Sequence, residues 1–461
     1  MNLNPAYQLT SLPAYQAGLT IDNKKLMGIL VGGIAVLVFL TLILILRNVG
    51  GGPGTGSRVT IEFWGVFDDR TAFDKVIRDF QVQNPGITVV YRQFSFEDYE
   101  REIVNALAAG TGPDIWMIHH TWLPKHIDKL TPIPDKFSDS DQLPMTFGDF
   151  QSQFVEVAVN DLTSGGQIYA IPLYIDTLAL YYNRDLFNGA GITRPPKDWD
   201  EFNSAVEQLT KIDASGNIIQ SGAAIGASQN INRSTDILAA LMIQSGVRMT
   251  DIDNTSAEFS RPVSNTPVGE VALRYYADFA NPNVRTYTWN NSQHYSIDAF
   301  TEGTVAMMFN YSHQAEILNQ KATRLNYAVA PLPQISPTDI KNYANYWAVG
   351  VSKNSPASNE AWRFAAYLAS REGASSYLAE TMRPSARRDL IDLQKSDLRL
   401  GVFANQALTA KSWYQIDNSA IESIFAEMID NVNFGRLLVR EALQNAEAEV
   451  NILMTRSQRS R

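Results

Sequence analysis

The chain of 461 residues contains no cysteine. That absence excludes disulfide staples, thiolate zinc sites, thiol nucleophiles and the acylated cysteine by which many bacterial surface proteins are held. Any anchor must be the chain itself. Basic residues are scarce relative to acidic ones, 38 against 48 for a net charge of −10, and a nucleic-acid partner, whose phosphates demand basic patches, is excluded with them. A neutral or cationic ligand fits that balance. Also missing are a GxxxxGK[ST] loop and a GxSxG elbow, which removes the phosphate cradle of nucleotide hydrolysis and the nucleophile of serine hydrolases. What the chain does have is a hydrophobic fraction of 45%, enough at this length for more than one core, so two lobes are plausible.

Residues 26–46 run without a charge, roughly the twenty positions needed to cross the hydrocarbon core of a bilayer. Lys24, Lys25 and Arg47 bracket them. A cleaved signal peptide would carry a shorter apolar region, about 7–15 residues, and a small-residue cleavage site, and neither is legible, so an uncleaved single-pass anchor is expected. Lys24 and Lys25 before the span are nearly matched by Arg47 and Arg58 after it, and charge alone does not orient it. Residues 1–25, without periodicity, read as a cytoplasmic tail. In the 47–58 linker, GGGPGTGS at 50–57 offers nothing apolar to bury and reads as a flexible tether.

Beyond the tether, 59–63 reads as a strand, and Phe73, Val76, Ile77 and Phe80 recur at helical spacing until Pro85 and Gly86. A strand at 87–91, a helix with Tyr99, Ile103 and Leu107 inward, and a buried strand at 114–118 follow. This is β-α-β-α-β. Right-handed crossovers make the sheet parallel, and ligands of such sheets sit beyond the carboxyl ends of the strands. Trp64, Asp68 and Asp69 follow the first strand; Phe94 and Phe96 follow the second; His119, His120, Thr121 and Trp122 follow the third. A second α/β lobe is expected after about residue 178, with a helix through Trp199, Phe202, Val206 and Leu209 that Asp198 or Asp200 could cap. Further helices are predicted at 234–245, 268–280, 359–369, 419–429 and 437–454, and a strand at 305–309.

Several stretches, in order and spacing, carry a resemblance: AAGTGPDI at 108–115, IYAIPLYIDTLALYYNRDLF at 168–187, PPKDWDEF at 195–202, FTEGTVAMMFNY at 300–311, APLPQ at 330–334 and NYANYWAVGVSK at 342–353. The chain resembles the bacterial extracellular solute-binding proteins of the sugar-binding group, which includes maltose- and maltodextrin-binding proteins. The resemblance implies a two-lobed α/β fold of the type II periplasmic-binding-protein kind, with a hinge and an interlobe cleft, here preceded by a single transmembrane helix. The first lobe would comprise 59–175 and 342–395, and the second 176–341 and 396–461, with crossings near 173–177, 342–351 and 390–400. The implied function is capture of a carbohydrate for ABC-transporter permease subunits, by a monomer facing outward from the cell membrane, with no cofactor, no catalytic residue and no bound metal.

By that resemblance Asp176, at the first crossing, accepts hydrogen bonds from sugar hydroxyls, for which an ionised carboxylate offers two acceptor oxygens. The alternative is a structural bond within the hinge. Asp68 or Asp69 would reach the ligand from the loop after the first strand, or else cap the next helix. Trp64 and Trp122 suit the apolar face of a pyranose. His120 and Thr121 would line the cleft, joined from the second lobe by Asn230, Arg233 and Tyr311, with Trp347 in the return crossing and Trp413 in SWYQIDN. Asp114, in the GTGPDI turn, is expected to fix the local backbone.

His119, His120 and His126 raise a metal hypothesis, set aside because neighbouring histidines point different ways and no nearby carboxylate supplies a third ligand. A carbohydrate-active enzyme is the competing class, with Asp68, Asp69 and Asp176 cast as the flanking carboxylates. A sugar-sensing receptor protein would share the binding fold.

Overall fold

A computed structural model describes residues 58–137 and 145–460. The expected tail, the 26–46 span and all of the linker but Arg58 lie outside the described residues. Among those described, no helix is long and apolar enough to cross a membrane.

Hydrophobic periodicity builds the first lobe. The strands Val59–Val66, Ile87–Phe94 and Ile115–His119 pair in parallel, and the helix Thr71–Gln83 buries Ala72, Phe73, Val76, Ile77 and Phe80 against them. A later segment, Trp347–Ser352, is buried at every position and enters the same sheet antiparallel to Ile115–His119, placing Trp347 opposite His119. The sheet order is Ile87–Phe94, Val59–Val66, Ile115–His119, Trp347–Ser352, Leu130–Thr131, with Ala170–Pro172 also on Trp347–Ser352. That crowding explains Gly350: a Cβ there would lie 2.7 Å from a methyl of Leu130 and 3.2 Å from the Tyr169 carbonyl.

A second sheet runs Met307–Asn310, Ala179–Asn183, Tyr327–Ala330, all antiparallel. Asp198 caps the helix Trp199–Leu209 by accepting from the Glu201 amide at 2.8 Å, one of the two candidates. The helix Ser234–Gln244 is buried at nine positions, too many for a surface stripe, because it runs through the core rather than over it. Beside it pack Val268–Asp278 and Asn418–Asn433, and the last helix, Val439–Ser460, packs on those two.

The buried side chains form two cores, one including Ile175, Ala344, Ala407 and Ala410, the other Leu178, Tyr343, Phe403 and Trp413. The chain passes between them near 175–178, at 343–344 and across the stretch 400–413, where the two cores interleave. Each place contributes a strand to one small sheet, with Asn342–Asn345 central, antiparallel to Asp176–Thr177 and parallel to Ala410–Lys411. The third of these strands falls later in the chain than 390–400. No periodicity marks it, since a two-residue strand is defined by its partner.

Candidate functional site: the gap between the lobes

The strand ends of the first lobe carry an aromatic shelf. Phe67, one residue past Val59–Val66, has φ +65, a conformation a bulky side chain adopts at a cost. Phe67 and Phe96 are about half exposed and stack 5.1 Å apart. Trp347 meets both edge-on, at 5.7 and 6.3 Å, and also touches His119 and Trp122 at 5.3 and 5.2 Å. Tyr99 supports the group from beneath, donating its hydroxyl to the carbonyls of Trp64 and Met117. Large half-exposed rings on a rigid sheet edge are suited to a flat, partly apolar ligand face.

Not every expected residue reaches this shelf. Trp64 is 6% exposed and packs on Phe94 at 4.5 Å with Arg92 across its ring, on the helix-covered part of the lobe. Asp68 is buried, accepting from Tyr377 Oη at 2.6 Å and Arg383 Nη2 at 2.7 Å. Asp69 is exposed and accepts from the Thr71 amide and hydroxyl, a turn that delivers the chain into Thr71–Gln83; the Thr71 bonds hold its carboxyl below the usual carboxylate range. Asp114 fixes backbone, as expected, accepting from the Glu62 amide and Ser355 Oγ.

At the hinge, Asp176 is 2% exposed and accepts from the Ser312 amide and hydroxyl and from the Thr177 amide. These are hinge bonds, the structural alternative for this residue. Burial pushes its carboxyl up to about 6, with the Ser312 hydrogen bonds opposing. Next to it, Tyr311 gives its hydroxyl to Asp236 at 2.7 Å and lies under the Arg233 guanidinium, 5.2 Å from the ring centre. His313 stacks on Tyr311 at 6.3 Å. Asn230 is engaged elsewhere, accepting from Trp289 Nε1 and donating to the carbonyls of Asn290 and Gln293; it ties down a loop.

The histidines do have carboxylate partners, but no one carboxylate joins two of them. His120 Nδ1 is 3.1 Å from Asp161 Oδ2 and His126 Nε2 is 2.8 Å from Glu100 Oε1. Both carboxylates are distant in sequence, and each histidine takes a different one. His119 instead contacts Thr121 Oγ1 and Asn345 Oδ1. Asp161 also accepts from Tyr346 and Ser412, so that His120 is part of a buried polar knot beside the third crossing.

Two openings lie between the lobes. The larger, about 980 Å³, is walled by His120, Thr121 and Val157 on one side and Met249 and Asp253 on the other, with Trp413 at the crossing. The smaller, about 20 Å³ or room for one water, separates His119 from Asp236 and Glu422. Glu422 is pushed up to about 7, by burial and then by the charge of Asp236. Cavity size and chemistry do not coincide, because the larger opening includes none of Phe67, Trp347, Arg233 or His313. The chemistry lies instead in two clusters, Phe67 and Trp347 at the strand ends of the first lobe and Arg233 and His313 around Tyr311 of the second. Across the gap, Trp122 Nε1 donates to Asn418 Oδ1 at 2.9 Å, and Lys125 bridges Glu100 and Asp417. Phe67, His313, Asp236, Glu422 and Arg383 were not singled out from the sequence; only the position of Phe67 after a strand could have flagged one of them.

Two α/β lobes joined by three crossings around a gap are the architecture of a solute-binding protein. The chain belongs to the bacterial extracellular solute-binding protein family, whose model matches residues 64–375. A binding protein of Brucella abortus is 24% identical over 345 residues, 73% of this chain and 75% of that one. The maltotriose-binding protein of Pyrococcus abyssi is 26% identical over 138 residues, 30% of this chain and 27% of that one. Among solved structures, the cyclic α-maltosyl-1,6-maltose binding protein of Arthrobacter globiformis superposes with a TM-score of 0.72 at 19% identity, covering 86% of this chain and 99% of that one. A solute-binding protein of Thermotoga lettingae bound with α-D-tagatose gives 0.66 at 23% identity, covering 86% and 100%. These likenesses show the fold.

Proposed function

We propose that this protein captures a carbohydrate in the interlobe gap and presents it to the permease subunits of an ABC transporter, as a monomer held outside the cell membrane by the 26–46 span. The observation that carries the reading is the half-exposed pair of Phe67 and Phe96 stacked at the strand ends of the first lobe and backed by Trp347, together with the polar group of Arg233, Asp236 and His313 gathered around Tyr311 of the second. A pyranose has the matching anatomy, with apolar C–H faces and a rim of hydroxyls. The sugars named for the Pyrococcus, Arthrobacter and Thermotoga relatives point the same way. In this reading the pair from the predicted set closest to the ligand is Trp347 and Arg233, with Tyr311 and Asp176 behind them; Trp122, His120, Thr121 and Trp413 shape the gap.

Thermal-shift titration against mono- and oligosaccharides tests it, because a ligand that binds only the native state raises the melting temperature by mass action. At least one sugar is expected to do so and to be recovered intact; turnover would indicate the enzyme class, and no shift across the panel would refute the reading. The Asp176→Ala variant is expected to weaken binding by more than about 1 kcal/mol, by unfastening the hinge or by losing a sugar contact. Equal titration affinity would remove Asp176 from the site. Sedimentation of the full-length chain with membranes, and its release only by detergent, would support the anchor.

A further inference from the structure

The two openings between the lobes share a wall. Trp413 and Gln415 of the third crossing line both, with His120 and Thr121 of the first lobe, so the crossing stands between a space of about 20 Å³ and one of about 980 Å³. On the tight side the lobes touch, where Trp122 donates to Asn418 and Lys125 meets Asp417. On the wide side they stand apart. There the first-lobe wall is the helix Glu156–Leu162, with Val157 and Asn160, and the second-lobe wall is the loop that carries Met249 and Asp253.

Neither wall is loose. Asp161 of that helix accepts from His120 Nδ1 at 3.1 Å, from Tyr346 Oη at 2.8 Å and from Ser412 Oγ, and Glu156 pairs with Lys411 at 3.0 Å. Helix and third crossing are thereby fastened to one another. Opposite, Asp251 accepts from the amides of Thr255 and Ser256, and Asn451 of the last helix accepts from the Ala257 amide, which ties the loop into the second lobe. Stiff walls joined through a fastened crossing swing as bodies. When the contacts on the tight side part, the walls on the wide side approach each other.

We propose that the larger opening is the counterweight of the gap, a space across the pivot at Asp161 that has to narrow before the lobes can separate. Bulk placed in it is accommodated in the closed form, which has room, and collides in the open one. Apparent affinity is the intrinsic affinity scaled by the fraction of molecules already closed, so such bulk tightens ligand binding without touching the ligand, since none of Phe67, Trp347, Arg233 or His313 lines this opening. The effect on affinity rests on the sugar-binding reading above; the effect on lobe separation does not.

Because the chain has no cysteine, two can be introduced as the only ones. Spin labels at Glu97→Cys and Ser423→Cys, both exposed and on the helices Phe96–Ala108 and Asn418–Asn433 that flank the touching side, report its separation by pulsed electron double resonance in the full-length chain in detergent, without sugar. Two distances are expected, the one in this structure and a longer one. Asn160→Trp and Asp253→Trp, exposed positions on opposite walls, are each expected to lower the longer population about five-fold or more, and Asn160→Ala to leave it unchanged. In calorimetric titration with maltotriose and tagatose as probes, affinity should rise by a comparable factor. Unchanged populations in both tryptophan variants would overturn the proposal, as would a single distance in the natural chain. A melting temperature lowered by both rings would mean that the space has no room for them, and would overturn it as well. Weaker sugar binding at unchanged separation would make the opening part of the sugar site instead. Should neither sugar bind, the labels still decide this proposal, while the wider sugar panel decides the sugar-binding reading.

Discussion

Asp176 is where a single side chain sets a pH response. Its carboxyl, raised to about 6 by burial despite the bonds from Ser312, holds a proton more tightly folded than unfolded. The sign follows: its contribution to stability is complete below the unfolded value of 3.8 and is lost as pH rises through about 6. Asparagine can still accept at Oδ1 from the Ser312 and Thr177 amides but does not titrate. Between pH 4 and 7 the natural protein should lose about 2 kcal/mol of unfolding free energy relative to Asp176→Asn. Urea unfolding of both at four pH values checks it, and parallel pH dependences would show that Asp176 carries no such penalty. From sequence the residue stood out as a carboxylate at a crossing, but its partner Ser312 lies 136 residues away, and no local pattern announces such a bond.

Elements were legible in proportion to how far local periodicity determined them. The helix Thr71–Gln83 buries the four residues whose spacing predicted it, because an amphipathic stripe records its own burial. The strand predicted at 305–309 is Met307–Asn310, and the 437–454 helix extends as Val439–Ser460; ends shift because caps and partners decide them. Trp64 could not be placed from its position after a strand, since it lies within Val59–Val66 and faces Phe94, whereas Phe67, past the strand end, is about half exposed and meets Phe96 and Trp347. Asp69 belongs to the joint between strand and helix. Replacing it with alanine removes the acceptor for both Thr71 donors and should cost about 1 kcal/mol of stability with ligand affinity changed less than two-fold. A ten-fold loss of affinity would return Asp69 to the binding site.

At the scale of the molecule, the question is what holds the lobes together before a ligand does. The hinge sheet joins them covalently, but its strands are short, and the contacts spanning the gap are few and polar. Trp122 Nε1 gives one hydrogen bond to Asn418, and Lys125 one ion pair to Asp417. Glu100 steadies the lysine; burial works against its ionisation, yet hydrogen bonds from His126 and Lys125 outweigh that and draw it down to about 2. The bridge therefore persists across ordinary pH, while the partly exposed Lys125–Asp417 pair is worth little on its own. The Trp122–Asn418 bond, between buried ring and facing helix, is the better latch. Losing roughly 1 kcal/mol there shifts the closed-to-open ratio about five-fold. Asn418→Ala should accordingly increase the radius of gyration of the ligand-free protein in X-ray scattering and weaken ligand binding about three- to five-fold, with saturating ligand restoring the natural dimensions. If both the ligand-free dimensions and the affinity stayed unchanged, closure would have to be governed by the hinge sheet and the ligand alone.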